Sequence, residues 1–208
     1  VEEGMMELEL PLSLAPAKYR EPLAQVIDSY QITNAIEFLA MAYYESSYLQ
    51  ELSDPVDLTV GALLKKYSRK RISYEDVILY GKSVSSIGSP EGIANCIYGG
   101  TWGQLELGNT EPGDGWRFRG HGPIRLVGRK VWHQFTEHLG RGDLSECPEK
   151  ALCEPVVVAH AAAWAWTHLH DFRPYGSNMR AIAKAHTGSA DTTIKTRTVY
   201  RNRLLEMV

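Results

Sequence analysis

Residues 99–123 set the terms for this fold. They hold eight glycines and two prolines, and no helical period survives across them. An irregular segment this long inside a compact domain is uncommon, and such segments tend to carry function. Within it, Pro112-Gly113-Asp114-Gly115 is a tight-turn sequence with Asp114 as a turn residue. Trp116 and Phe118 alternate with Arg117 and Arg119, the pattern of a short two-faced strand with aromatics inward and arginines outward. Gly120 and Gly122 permit a close backbone approach, either to another segment or to a ligand. There is no GK[ST] and no preceding buried strand, which argues against a phosphate loop. Aromatics and arginines beside a glycine-lined cleft suit sugars, through ring stacking and planar hydrogen bonding.

On both sides of this segment the chain reads as helix, so the expected fold class is mainly α. Leu23, Val26, Ile27 and Tyr30 recur at helical spacing. Asn34 and Glu37 form a capping-box pattern for a helix that buries Ile36, Phe38, Leu39, Ala42 and Tyr43 and runs into Glu45. Asp54-Pro55 punctuates the chain. Residues 58–67, 73–82 and 90–98 read as short helices, Ser73 capping the second and Pro90 opening the third. Helix returns over 124–139, 149–169, 178–186 and 193–206. Ala161–Trp166 is apolar on every side and should be buried. Strand candidates are short pieces beside the glycine-rich segment, such as Ile124–Val127.

The 208 residues suffice for one sizeable domain or two small lobes, and 44% hydrophobic with 23% charged is ordinary for a soluble protein. We divide the chain into an N-terminal segment, 1–17, and a domain over 18–208 with a small lobe or insertion at about 52–90. No stretch approaches the roughly 18 apolar residues of a membrane helix. The N-terminus is acidic where a signal peptide is basic. The expectation is a soluble protein held in the cytoplasm of the producing cell before release to the cell wall. Cys96, Cys147 and Cys153 fit a reducing compartment, and with His133, His138 and His160 they match no metal-ligand spacing. No metal and no cofactor are expected.

A net charge of −3 is too balanced for a nucleic-acid binder. It hides an asymmetry. Residues 1–57 carry eleven acids against Lys18 and Arg20, a net of −9. Residues 173–205 carry seven basic residues against Asp191, a net of +6. That basic end is either a solvated helix face or a surface drawn to a polyanion such as a bacterial cell wall.

Glu45 and Glu51 are either a working acid/base pair or, as their spacing alone favours, two ordinary surface carboxylates. Six residues at about 100° each put them on different faces of a continuous helix. They can cooperate only if the helix stops between them, and Ser46-Ser47 is a plausible stop. A turn there brings the carboxylates toward about 6.5–9.5 Å, which leaves room for a water in an inverting glycosidase.

"GNTEPGDGWRFRGHGPIRLVGR", residues 108–129, resembles the signature of family-19 glycoside hydrolases, the chitinase-like enzymes that include many phage endolysins. "FLAMAYYESS", "LQE", "IANCIY" and "AAAWAW" resemble further family stretches in the same order, and Arg197 with Tyr200 resembles a late R-x-x-Y. The resemblance covers about residues 18–205. It implies a two-lobed, lysozyme-like fold with a short β-hairpin or loop region beside a glycan cleft. It implies inverting hydrolysis of β-1,4 bonds, with Glu45 as general acid and Glu51 as general base. Glu45 is then expected to have a raised pKa, from apolar surroundings. Glu106 and Glu111 are the next candidates for the base. Substrate-contacting positions fall on Tyr44, Tyr98, Asn109, Arg119, His121, Arg125, Val127, His186 and Arg197.

Several of these depart from the family pattern. Tyr44 stands for a histidine, Arg125 for a glutamine, Val127 for a threonine or serine, His121 for an arginine, and His186-Thr187-Gly188 for N-G-G. Arg125 is expected to put a cation in the cleft and favour a carboxylate-bearing substrate. The resemblance therefore points to a peptidoglycan-degrading, bacteriolytic endolysin acting on an amino-sugar polymer. The expected state is a monomer with no nucleic-acid partner and no stable membrane insertion. Two alternatives stand beside it. One is a glycan-binding or structural module with the hydrolase fold and impaired activity, which Val127 and Tyr44 favour. The other is a chitinase.

Overall fold

The computed structural model describes residues 2–188 and 193–208, with side chains from residue 8 onward. The chain forms two compact units. The first comprises Val1–Leu52, Gly122–Arg125 and Glu149–Val208, and the second Ser53–His121 and Leu126–Pro148. Among the described residues there is no extended strand, only isolated bridges such as His121 with Leu126. No helix among them is long and apolar enough to cross a membrane.

The first unit is built from α1 (Glu2–Ser13), α2 (Ala17–Ser29), α3 (Ala35–Ser46), α11 (Pro155–Trp164), α12 (Met179–Thr187) and α13 (Ile194–Leu205). Its main pairings are α11 on α2 and α13 on α3. Tyr19, Leu23, Val26 and Ile27 form the buried stripe of α2. The small side chains Ala159, Ala161, Ala162 and Ala163 are fully buried on α11. They present little bulk, so backbones can approach closely. Ala161–Trp166 is buried throughout, as its composition predicts. A π turn, Ala165–Leu169, extends α11 and carries Trp166 into edge contact with Phe38 and Phe172.

Asn34 departs from its predicted role. It precedes α3 but makes no cap bond. Its carboxamide accepts from Trp166 Nε1 at 3.1 Å and donates to the Phe172 and Gly176 carbonyls. A buried indole N–H left unpaired costs about 1–3 kcal/mol, more than a typical cap contributes. The capping box is likewise absent, because Glu37 pairs with Arg201 at 2.6 Å. Ile36, predicted buried, is only partly so.

The second unit holds α4 (Val60–Lys66), α5 (Tyr74–Tyr80), α6 (Pro90–Ile97), α7 (Gly100–Trp102), α8 (Asp114–Arg117) and α9 (Arg129–His138). Thr59, Ser73 and Ser89 cap α4, α5 and α6 through their side chains, and Pro90 sits at the first turn of α6. Val56, Leu63, Ile72, Val77, Ile93, Ala94 and Ile97 make the core.

The glycine-rich segment is more helical than its sequence indicates. α7 runs on as a π turn, Gly103–Leu107, and α8 occupies the place of the predicted strand. Phe118 enters the core, and Arg117 is 44% exposed as expected. Arg119 does not face outward. Its guanidinium stacks 3.6 Å over the Trp116 ring and donates to the Trp116 and Asp54 carbonyls. A cation so paired can be buried, and Arg119 is 6% exposed. The candidate strand Ile124–Val127 reduces to the His121–Leu126 bridge, with 122–125 forming the turn.

Candidate active site

α3 ends where its serines predict. Ser46 is buried, its hydroxyl donating to the Ala42 carbonyl and accepting from Leu49 N–H. Ser47, Tyr48 and Leu49 then take φ values of 49°, 59° and 63°. Three successive left-handed residues, none of them glycine, cost roughly 1–2 kcal/mol each. The turn is held by Tyr48 N–H to the Tyr43 carbonyl and Glu51 N–H to the Ser46 carbonyl, both 2.9 Å. Leu49 is buried, and Tyr48 stacks on Tyr200 at 5.1 Å. Glu45 thus lies in the last turn of α3, and Glu51 follows the reversal, exposed to solvent.

The Glu45 side chain is 17% exposed. Arg197 Nη2 lies 2.5 Å from Oε1 and His186 Nε2 lies 3.4 Å from it. Neither approach has the alignment of a hydrogen bond, so Oε1 is buried with no hydrogen-bond partner. Arg197 is itself 2% exposed, placed by Thr193 Oγ1, Met41 Sδ and the Tyr44 ring. Burial pushes the Glu45 carboxyl up. Contact with His186 and the charges of Arg197, His186 and Arg125 outweigh it and hold the carboxyl below its ordinary value. This corrects the expectation of a raised pKa: the pocket is cationic rather than apolar.

His186 Nδ1 is also buried without a hydrogen-bond partner. Its ring meets His170 at 5.0 Å, edge to face. Burial, then the neighbouring His186, push His170 down to about 4. His170 and Met41 were missed by the sequence reading, since neither lies in a motif.

Arg125 is placed differently from the expected cleft cation. Its Nη2 donates to the carbonyls of Glu45 and Glu51 and its Nη1 to that of Gly122, all at 2.8 Å. Tyr44 is half-buried, its ring edge-on to Tyr200 at 5.7 Å and beneath Arg197.

The remaining predicted residues belong to the second unit, where several are structural. His121 is fully buried: Nε2 donates to the Arg117 carbonyl at 2.8 Å and Nδ1 meets Ser53 Oγ at 2.9 Å. Asn109 is 4% exposed and ties the Tyr98 carbonyl to Arg129 N–H. Tyr98 donates to Asp54 Oδ2 at 3.1 Å. These groups, with Arg119, make hydrogen bonds inside the unit. Val127 is half-buried. Glu106 and Glu111 are exposed. Asp54, read as punctuation, is a hub: it also accepts from Arg119 through its carbonyl and donates its N–H to the Gly120 carbonyl. A Cβ at Gly120 would lie 2.3 Å from the Asp54 carboxylate, so the predicted close approach is to a neighbouring segment.

Asp114 exceeds its role as a turn residue. Both oxygens accept from Arg129, at 2.7 and 2.8 Å, and Oδ2 also accepts from Glu111 N–H. Burial pushes the carboxyl up, but the bonds from Arg129 and Glu111 hold it below its ordinary value. Beside it, Asn95, Gln104, Asn109 and Thr110 help line a cavity of about 340 Å³.

The basic C-terminal segment is partly neutralised. Arg173, Arg197 and Arg201 pair with Asp171, Glu45 and Glu37. Asp191 lies outside the described residues. Cys96, Cys147 and Cys153 are free thiols, and no cluster of three or more metal-ligating side chains occurs among the described residues.

No protein-family model matches the chain. A glycosyl hydrolase family 19 domain-containing protein of Haemophilus influenzae is 36% identical over 77 residues. That match spans 37% of this chain and 36% of the relative's length. In fold, the chain resembles chitinase C from Streptomyces griseus, with a TM-score of 0.57 at 14% identity over 97% of this chain and 90% of that one. A glutamate-to-glutamine mutant of chitinase C gives the same TM-score at 13% identity, over 97% and 74% of the two chains. The resemblance to family-19, chitinase-like glycoside hydrolases, first carried by the glycine-rich block, therefore stands in sequence and in fold.

Proposed function

We propose that this chain is a glycoside hydrolase that cuts β-1,4 bonds of an amino-sugar polymer with inversion, Glu45 as acid and Glu51 as base. The observation that carries the reading is the Glu45 carboxylate at the end of α3, still partly exposed beside Arg197 and His186. Glu45 is ionised in the free protein, and an acid must carry a proton. A sugar seated on it would remove its remaining exposure, and burial is already the largest influence on this carboxyl. The reading requires that this desolvation raise the pKa toward working range when substrate binds. Glu45 then protonates the leaving glycosidic oxygen. A water attacks the anomeric carbon from the opposite face and gives its proton to Glu51.

The substrate class we favour is peptidoglycan, as in phage endolysins. Exposed Lys184, Lys195 and Arg203 on α12 and α13 suit an anionic polymer. The chitinase reading is favoured by the fold match to chitinase C. Incubating the protein with purified Gram-negative sacculi and with chitin oligomers separates the two. Reducing ends released faster from sacculi, with the inverted anomer by proton NMR, are expected. Faster turnover of chitin oligomers would make it a chitinase. Binding to sacculi with no release from either substrate would make it a glycan-binding module.

A further inference from the structure

We propose that Arg125 is a positioning residue, which fixes the main chain at both ends of the turn between Glu45 and Glu51 and so sets the separation of the two carboxylates. It rests on the function proposed above only for its effect on rate. One nitrogen, Nη2, bridges the carbonyls of Glu45 and Glu51, both at 2.8 Å. The other, Nη1, is anchored on the Gly122 carbonyl. Glu45 lies in the last turn of α3, where carbonyls lack a partner further along the helix and favour a cation.

The turn that Arg125 spans needs such a clamp. Ser47, Tyr48 and Leu49 are all left-handed, a conformation that persists only where neighbours enforce it. The clamp is itself braced. Gly122, at φ 90°, donates its N–H to the Leu52 carbonyl at 2.8 Å, just beyond Glu51. A ring of hydrogen bonds therefore runs Glu45–Arg125–Gly122–Leu52 and returns through the chain. The family-like glutamine at this position has one carboxamide nitrogen on a shorter stem and cannot span both carbonyls while holding a third. Lysine has the charge but not the planar fork.

The test compares wild type with Arg125→Gln and Arg125→Lys by hydrogen exchange and by kinetics on sacculus fragments. In Arg125→Gln the amides of Tyr48 and Glu51 should exchange at least tenfold faster, while those of α11 are unchanged. In that variant kcat should fall about tenfold or more with KM within twofold, with Arg125→Lys intermediate. Azide, a nucleophile that needs no general base, should restore part of the rate of bond cleavage in Arg125→Gln, with glycosyl azide as product, and not in wild type. If Arg125→Gln fails to fold, Arg125→Lys carries both measurements. Unchanged exchange at Tyr48 and Glu51 overturns the proposal. Local loosening with an unchanged kcat overturns its catalytic part. Local loosening in a protein whose wild type has no turnover upholds the clamp and overturns the hydrolase reading.

Discussion

Asp114 and Glu45 are both carboxylates drawn against an arginine, and both sit below their ordinary pKa. Asp114 has each oxygen bonded in line, with a bidentate Arg129 and a backbone N–H, and its side chain is 1% exposed. Glu45 has Arg197 and His186 beside Oε1 without an aligned bond, and 17% exposure. The first has spent its lone pairs on the fold. The second keeps part of its surface open. Pairing with arginine is therefore common to both; bond alignment and exposure separate them.

The comparison predicts its largest effect at Arg129. Arg129→Met leaves the buried Asp114 only the Glu111 N–H and a 3.7 Å contact with Arg117, and should cost up to about 3–5 kcal/mol in denaturant unfolding. A loss under about 1 kcal/mol would show that Asp114 is not the structural member of the contrast.

Acid sensitivity comes next. His170, held near 4, stays neutral in the fold while the unfolded chain takes a proton near 6.5. Stability is therefore complete above about pH 6.5 and is lost as pH falls toward 4, by about 2 kcal/mol after allowing for partial exposure. Glu45 and Asp114 have depressed values, so their contributions persist until pH falls through their folded pKa, below the ordinary carboxylate range. His170→Gln should flatten only the upper window, as read by Tm against pH. A profile unchanged by that substitution would remove His170 from the Glu45 cluster's electrostatics.

Sequence and structure agree where the signal is local. Ser46-Ser47 ends α3, Ser73 and Pro90 start their helices, and Ala161–Trp166 is buried, because propensity, caps and composition decide these within a few residues. Agreement ends where partners lie far along the chain. Asn34 leaves its cap for Trp166, 132 residues away. His121 turns to Ser53, 68 residues away, and Arg125 to Glu45, 80 residues away. No spacing rule reaches such pairs. Motif order located Glu45; only geometry showed that its surroundings are cationic and that Arg125 grips main chain.

Two smaller effects sharpen the contrast on the Glu45 side. If a hydroxyl at Val127 helps hold the attacking water, as the family resemblance implies, Val127→Thr should raise kcat by about two- to tenfold, the worth of one hydrogen bond. No change would place Val127 away from the water. Ser47→Gly relieves one left-handed residue and should stabilise by about 0.5–1 kcal/mol after the entropic cost of glycine. Destabilisation would mean that the Ser47 side chain, not the turn, matters there.

The most direct test is Glu45→Gln, measured for stability and for release of reducing ends together. The proposed role predicts a rate loss of about 10²–10⁴-fold in a variant that still folds, with a stability loss of up to about 3 kcal/mol because the buried Arg197 loses its carboxylate partner. Undiminished release from the folded Glu45→Gln variant would contradict it.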